Sequence, residues 1–174
     1  MKSITLTILT MVLLPLNVLA LGGHTGDTEP AKPIIEKRAL TADEQAIQDV
    51  LNKYASAMEK RDVSIAEQAV IPGDFSTIES GYANWSWSDF KEHHLSAELD
   101  FFKDISYKID LLSGEFQGDL GFCVYQFKTS GTVIKSGKQM STAGLATCIL
   151  EKTEQGWRIH HIHSSVPRPM THGK

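Results

Sequence analysis

The amino-acid sequence predicts a single α+β domain in which a curved antiparallel sheet wraps around N-terminal helices. Three observations support this fold class: helical periodicity after residue 40, four strand-like runs in the second half, and short turn segments between those runs. Helices that precede consecutive antiparallel strands are typical of α+β domains. We place the domain at residues 41–166, after a flexible leader at 21–40 and before a tail at 167–174.

The composition is that of an ordinary globular protein. The chain has 174 residues, of which 41% are hydrophobic and 22% are charged, and its formal net charge is -4. This length is sufficient for one domain with a substantial core. A mildly acidic chain without runs of lysine or arginine gives no reason to expect nucleic acid as a partner.

The first twenty residues have the pattern of a secretory signal peptide. Lys2 precedes an apolar run, and Val18 and Ala20 occupy the small-residue positions of a cleavage site. A membrane anchor is the alternative, but Pro15 interrupts the run and its length is marginal for a span. We therefore predict an exported protein, periplasmic or secreted, with no stable membrane anchor after cleavage.

The first elements of the domain are helical. The segment "LTADEQAIQDVLNKYASAMEKRD" begins with a capping box formed by Thr41 and Glu44, and its apolar residues repeat on one helical face. Asp62 can cap a second, shorter helix, "VSIAEQAV", which "IPGD" ends. The run "FSTIES" then predicts a short strand that ends at Gly81.

The next helix, "FKEHHLSAELDFF", contains polar residues on its apolar side. Ser86 and Asp89 predict a capping box ahead of it. At about 100° per residue, His94 and Glu98 fall inside the apolar arc, whereas His93 falls on the polar arc. A buried carboxylate without a partner is unfavourable, so this pair must bond to each other or to another group.

Four strand-like runs follow, and turn residues separate them. The runs are "SYKIDLLSG", "DLGFCVYQFK", "QMSTAGLATCILEK" and "GWRIHHIHSS". The second and third contain the only cysteines, Cys123 and Cys148. An antiparallel hairpin centred between Lys135 and Ser136 places them directly opposite each other. They form either a disulfide, which export permits, or two buried, inert thiols.

The last strand offers a partner for the helix. A period of two puts Trp157, Ile159, His161 and His163 on one face, with the two histidines about 6.6 Å apart at the backbone. Together with His94 and Glu98 they would supply three nitrogens and one carboxylate, a set suited to zinc, copper or non-haem iron. A buried polar network without metal, or the polar end of a small-molecule pocket, remain the alternatives.

The last strand also carries a family resemblance. It resembles the SnoaL-like branch of the nuclear transport factor 2-like superfamily, whose members typically show Gly-Trp-x-Ile-x-His-x-His-x-Ser at this point. The matching residues are Gly156, Trp157, Ile159, His161, His163 and Ser165. The preceding strand is similar to the family's Thr-x-x-Leu-x-Lys pattern at Thr147, Leu150 and Lys152. The segment "ESGYANWSWSDFKEHHLSAEL" resembles exported bacterial members, and the resemblance covers residues 40–166.

The resemblance implies a cone-shaped sheet around an apolar pocket that the helices close, and a homodimer formed through the outer sheet face. It implies that His94, Glu98, His161 and His163 point into the cone. It also implies that four aromatic residues form the wall or rim of the pocket. The alternative for the two tryptophans among them is that they only pack in the core. The four residues are Tyr54, Phe75, Trp85 and Trp87.

The resemblance does not specify an activity, because this cone supports isomerisation, cyclisation, dehydration and binding without chemistry. Its isomerases and cyclases use an aspartate or Asp-His base with a tyrosine-type donor, and this sequence offers no pocket aspartate. Glu98 can replace that base if burial raises its pKa, with His94 or His161 as its proton partner. We predict an exported small-ligand-binding protein. The alternatives are a small lyase or isomerase that uses Glu98 and His94, or a periplasmic metal-binding protein.

Overall fold

The computed structural model describes residues 39–79 and 81–167, which belong to one compact unit. The helices are α1 (Ala42–Lys60), α2 (Val63–Glu67), α3 (Trp87–Phe90) and α4 (Ser96–Phe101), with a π-helical turn (Lys91–Leu95) between α3 and α4. The strands are β1 (Ser76–Glu79), β2 (Tyr82–Asn84), β3 (Phe102–Gln117), β4 (Leu120–Val133), β5 (Gln139–Thr153) and β6 (Gly156–Ser165).

The six strands form one curved, open sheet in the order β2-β1-β6-β5-β4-β3. Strands β3 to β6 are the predicted antiparallel meander, and the predicted α+β fold class is confirmed. Two features were not predicted. The short β1 lies parallel to β6, and β2 forms a hairpin with β1 in a segment without a strand-like pattern.

Helix α1 forms as the sequence predicts and packs against β3. Thr41 and Glu44 make both hydrogen bonds of the capping box, 3.3 and 2.9 Å long. The Gln48 side chain donates to the Ile109 carbonyl at 3.0 Å and accepts from the Leu111 amide at 2.8 Å. These bonds fix the helix in register with the strand whose inner residues it covers.

The core lies between the helices and the concave face of the sheet. Helix residues Ile47 and Leu51 are 0% exposed, as are the sheet residues Leu150 and Ile159. Cys123 and Cys148 are direct partners in the β4–β5 register, which confirms the predicted hairpin. Inner residues therefore alternate along both strands with residues of the outer face.

The helix that contains His94 is not continuous. Residues Lys91–Leu95 form a π-helical turn, and the Ser96 amide accordingly bonds the Lys91 carbonyl. Ser86 caps α3 by accepting from the Asp89 amide at 3.1 Å, but the Asp89 carboxylate accepts from Asn84 instead of completing the capping box. The wider π turn changes the direction of the side chains that follow α3.

A β-bulge interrupts β6. Ile149 pairs with His161 whereas Leu150 pairs with Ile159, so His160 is an extra residue opposite β5. The alternation therefore changes at His160. Buried Ile162, not His161, continues the inner face that Ile159 begins.

The prediction that His161 and His163 share the face of Trp157 and Ile159 was wrong for this reason. Both histidines lie on the outer face. His161 is paired there with Ile149, which is exposed. A strict period of two cannot anticipate an inserted residue, because one extra residue moves every later side chain to the other face.

The predicted signal peptide at 1–20 lies outside the described residues, as do all but the last two residues of the predicted leader and all but the first of the predicted tail. Export and the domain boundaries thus stay predictions. Within residues 39–79 and 81–167, no helix is long and apolar enough to cross a membrane.

Candidate functional site

Three polar side chains from separate elements meet at one edge of the cone interior. His94 in the π-helical turn places its Nε2 3.1 Å from a carboxylate oxygen of Glu79 and 3.6 Å from one of Glu98. The side chains of His94, Glu79 and Glu98 are 24%, 40% and 37% exposed, so a ligand can reach this polar trio from solvent. The sequence left open whether His94 and Glu98 bond to each other or to another group; His94 contacts both Glu98 and an additional residue, Glu79.

Glu79 reaches the trio because β1 pairs with β6. Thr77 lies opposite buried Ile162 and is itself 5% exposed, so it faces the core. Glu79 is two residues further along the strand and shares that face. Glu79 was not predicted as a site residue, although the alternation of Phe75, Thr77 and Glu79 in "FSTIES" indicates that these three residues share one face of the strand.

The two carboxylates keep His94 protonated. Its hydrogen bond with Glu79, and then that with Glu98, raise the pKa of His94 from 6.5 to about 10, although burial opposes this shift. The ring also stacks on Phe90 with a centroid separation of 5.0 Å. At neutral pH the trio therefore consists of one imidazolium between two carboxylates.

Three tyrosines belong to the hydrophobic core or pack against it: Tyr54 on α1, Tyr107 on β3 and Tyr125 on β4. Burial raises the pKa of each phenol. Glu79 and Glu98 raise the pKa of Tyr54 and Tyr107 further, which places these phenols within the electrostatic reach of the trio. All three hydroxyls stay protonated at neutral pH and can donate hydrogen bonds.

Tyr54 was predicted as a pocket residue, and it is 7% exposed. In the part of the chain that the structure describes, no residue hydrogen-bonds to its hydroxyl. A nearly buried phenol without a protein partner is suited to bonding with a ligand or with water.

The other predicted aromatic residues divide into core and surface. Phe75 and Trp87 are 2% and 3% exposed and contact each other edge to face at 5.6 Å. Phe75 also contacts Phe90 at 5.6 Å, so this cluster supports the ring beneath His94. Trp85, which directly follows β2, is 73% exposed.

His161 and His163 do not join His94 and Glu98. Ser76 bonds the Nδ1 of His161 at 2.8 Å on the outer side of the sheet. Burial, and then His163 and His160, lower the pKa of His161. The described residues contain no group of three or more histidine, cysteine, aspartate or glutamate side chains arranged to hold a metal ion. The predicted four-ligand arrangement is therefore not formed.

The family model of the SnoaL-like domain matches residues 47–169. The chain belongs to the SnoaL-like domain family. No curated protein sequence matches this chain. The predicted family resemblance is therefore confirmed over most of the chain.

Solved structures agree with this SnoaL-like fold. A nuclear transport factor 2-like superfamily protein from Salmonella enterica serovar Typhimurium has a TM-score of 0.67 and 22% identity, over 75% of this chain and 94% of that one. A conserved protein from Planctomyces limnophilus has a TM-score of 0.62 and 18% identity, over 72% and 98%.

A hexachlorocyclohexane dehydrochlorinase (LinA, type 2) is also similar in structure. It has a TM-score of 0.62 and 15% identity, over 73% of this chain and 86% of that chain. At these identities the similarity supports the SnoaL-like fold only. The function has to be inferred from the residues of the site.

Proposed function

We propose that this protein binds a small organic ligand inside the cone, between the polar trio and the three tyrosines. The observation that carries the proposal is the placement of His94 between Glu79 and Glu98, at the edge of an interior that also contains the Tyr54 phenol. Small-molecule sites typically combine apolar walls with a few fixed polar groups. Phe90 and the tyrosine rings supply the walls, and the trio fixes the orientation.

The test is a thermal-shift screen of small aromatic and alicyclic ketones, alcohols and acids, followed by calorimetry on any compound that raises the melting temperature. Glu98→Gln and Tyr54→Phe should each lower the affinity roughly 3- to 10-fold, since each removes one hydrogen bond. Glu92→Gln is the matched control, because Glu92 is an exposed glutamate in the π-helical turn that precedes α4. Equal affinities in all three variants would place the ligand elsewhere.

A second candidate function is proton transfer by a lyase or isomerase. His94 Nε2 is closer to Glu79 than to Glu98, 3.1 against 3.6 Å, so Glu79 is the closer ion-pair partner. Glu98 thus keeps lone pairs for a substrate proton, and the neutral Tyr54 and Tyr107 phenols can donate to a developing oxyanion. The similarity to a dehydrochlorinase fold is compatible with such chemistry.

This candidate is tested by proton exchange. Each ketone that binds is incubated with the protein in deuterium oxide, and loss of its α-proton signals is followed by NMR. Catalysed exchange that Glu98→Gln abolishes while binding persists supports an enzyme. If the wild-type protein binds the ketone but does not catalyse exchange, the result supports ligand binding without catalysis.

Export is part of the proposed function. The support is the sequence of residues 1–20, with its apolar run ahead of Val18 and Ala20. Expression of the full chain in a Gram-negative host, followed by osmotic shock and amino-terminal sequencing, tests it. Recovery in the periplasmic fraction with Leu21 as first residue supports export. An intact amino terminus in the cytoplasmic fraction rejects it.

We also propose that the protein is a homodimer through the outer face of the sheet. Phe122, Leu145 and Ile149 lie on that face and are 45%, 51% and 41% exposed, and Phe122 and Ile149 are direct partners in the β4–β5 register. Adjacent exposed apolar residues favour association. Light scattering should give twice the monomer mass for the wild type and the monomer mass for Phe122→Lys. A monomeric wild type contradicts the proposal.

A further inference from the structure

Cys123 and Cys148 have a relationship that the ligand site does not explain. They are direct partners in the antiparallel β4–β5 register, and both are 0% exposed. In the structure both are free thiols, and the Cys148 thiol donates to the Ile149 carbonyl at 3.7 Å. Both thiols also lie close enough to Tyr125 to affect its phenol, so the pair is part of the layer beneath the tyrosines.

The backbone geometry of this pair permits a covalent link. Residues directly opposite each other in antiparallel strands have Cα atoms about 4.5–5.5 Å apart. Disulfides span Cα separations of roughly 4.4–6.8 Å. We propose that Cys123 and Cys148 form a disulfide that ties β4 to β5 when the chain folds under oxidising conditions.

The reaction is a thiol–disulfide exchange with a small-molecule or protein disulfide as the oxidant. One cysteine loses its proton, and its thiolate attacks a sulfur of the oxidant, which releases one thiolate. The second cysteine then loses its proton and attacks the mixed disulfide, which releases the second thiolate. Two thiols of this chain are oxidised to one disulfide, and the oxidant is reduced to two thiols.

Burial determines when this exchange occurs. In the folded chain no oxidant can contact either sulfur directly, because both cysteines are fully covered. Burial also raises the pKa of Cys148, so little thiolate is present at neutral pH. The link therefore forms during folding, before α1 closes over the concave face, and the native sheet afterwards protects it from reduction.

The test uses the full chain, refolded from denaturant with oxidised and reduced glutathione. The product is quenched with acid, unfolded again, treated with iodoacetamide with or without prior reduction, and weighed intact by mass spectrometry. We expect no alkyl group without reduction and two after reduction, in a species that runs as a monomer on a non-reducing denaturing gel. Two alkyl groups without reduction, or disulfide-linked dimers, would overturn the proposal.

Thermal unfolding tests whether the disulfide stabilises the folded chain or strains it. We expect the oxidised chain to melt roughly 5–15 °C above the same chain kept reduced, because the link restricts the unfolded state. The Cys123→Ala, Cys148→Ala double variant is the matched control, since its melting temperature should not respond to a reductant. An oxidised wild type that melts at or below the reduced form would also overturn the proposal.

Discussion

The Nε2 atom of His94 lies 3.1 Å from the Glu79 carboxylate, although His94 belongs to a π-helical turn and Glu79 ends the short strand β1. The contact exists only because β1 pairs in parallel with β6, which turns Glu79 toward the helices. It converts the helical pair of His94 and Glu98 into a trio with two carboxylates. The charge state of His94 is the most direct property to measure.

We expect His94 to remain protonated well above neutral pH. Two carboxylates raise its pKa from 6.5 to about 10, because both stabilise the charged ring. Titration of ¹³C-labelled histidine by NMR, with His93→Gln and His94→Gln used to assign the signals, measures this directly. A His94 signal that titrates near pH 6.5 would contradict the geometry of the trio.

Glu79 should matter more to His94 than Glu98 does. The hydrogen bond with Glu79 is the largest cause of the raised pKa and the shorter of the two contacts. The pKa of His94 should therefore fall further in Glu79→Gln than in Glu98→Gln, measured by the same titration. Equal falls would mean that the ring lies midway between the carboxylates in solution.

The stability that His94 contributes should depend on pH in a defined direction. Folding raises its pKa from 6.5 to about 10, so the contribution is complete below pH 6.5 and is lost as the pH rises through about 10. The difference in free energy of unfolding between the wild type and His94→Gln should thus shrink from pH 7 to pH 10, measured by urea unfolding. A difference that grows over this range would refute the assignment.

Core packing gives a prediction with a matched control. Leu150 is 0% exposed and Leu120 is 55% exposed, and both lie in the β4–β5 ladder. Leu150→Ala should lower the free energy of unfolding by about 2–5 kcal/mol, because it leaves a cavity. Leu120→Ala should change it by less than about 0.5 kcal/mol. Equal costs in urea unfolding would show that the concave face of the sheet is not the core.

The purified protein should contain little bound metal, because the four predicted ligands do not lie together. His161 and His163 lie on the outer face, away from His94 and Glu98, so those four residues should not hold a metal ion together. Elemental analysis of untagged protein should give well below one equivalent of zinc, copper or iron. One equivalent that both His161→Ala and Glu98→Ala remove would show that the side chains do meet.

The sequence was sufficient for features that depend on local periodicity. The capping box at Thr41, the buried face of α1 and the register that pairs Cys123 with Cys148 were all predicted, because each follows from spacing within one helix or one hairpin. A helical wheel predicted that His94 and Glu98 lie on one side of the helix; the two side chains are 3.6 Å apart, and they are 24% and 37% exposed.

The remainder depends on interruptions and on distant pairing. The alternation within "FSTIES" indicates which face of the strand carries Glu79, but no pattern there predicts that β1 lies beside β6, so the contact of Glu79 with His94 was missed. The bulge had a visible signal: Ile159 and Ile162 are three residues apart, and two residues so spaced cannot share a face of a regular strand. Both are buried, which requires an extra residue between them.

The extra residue at His160 has a consequence for how roles are transferred between relatives. Two sequences can align without a gap through Gly-Trp-x-Ile-x-His-x-His-x-Ser and still place their histidines on opposite faces of the sheet, one on the inner face and one on the outer face. Conversely, deletion of His160 would return His161 to the interior and move Ile162 into water. In this strand, the insertion or deletion of one residue changes which side chains face inward, whereas most substitutions change only one side chain.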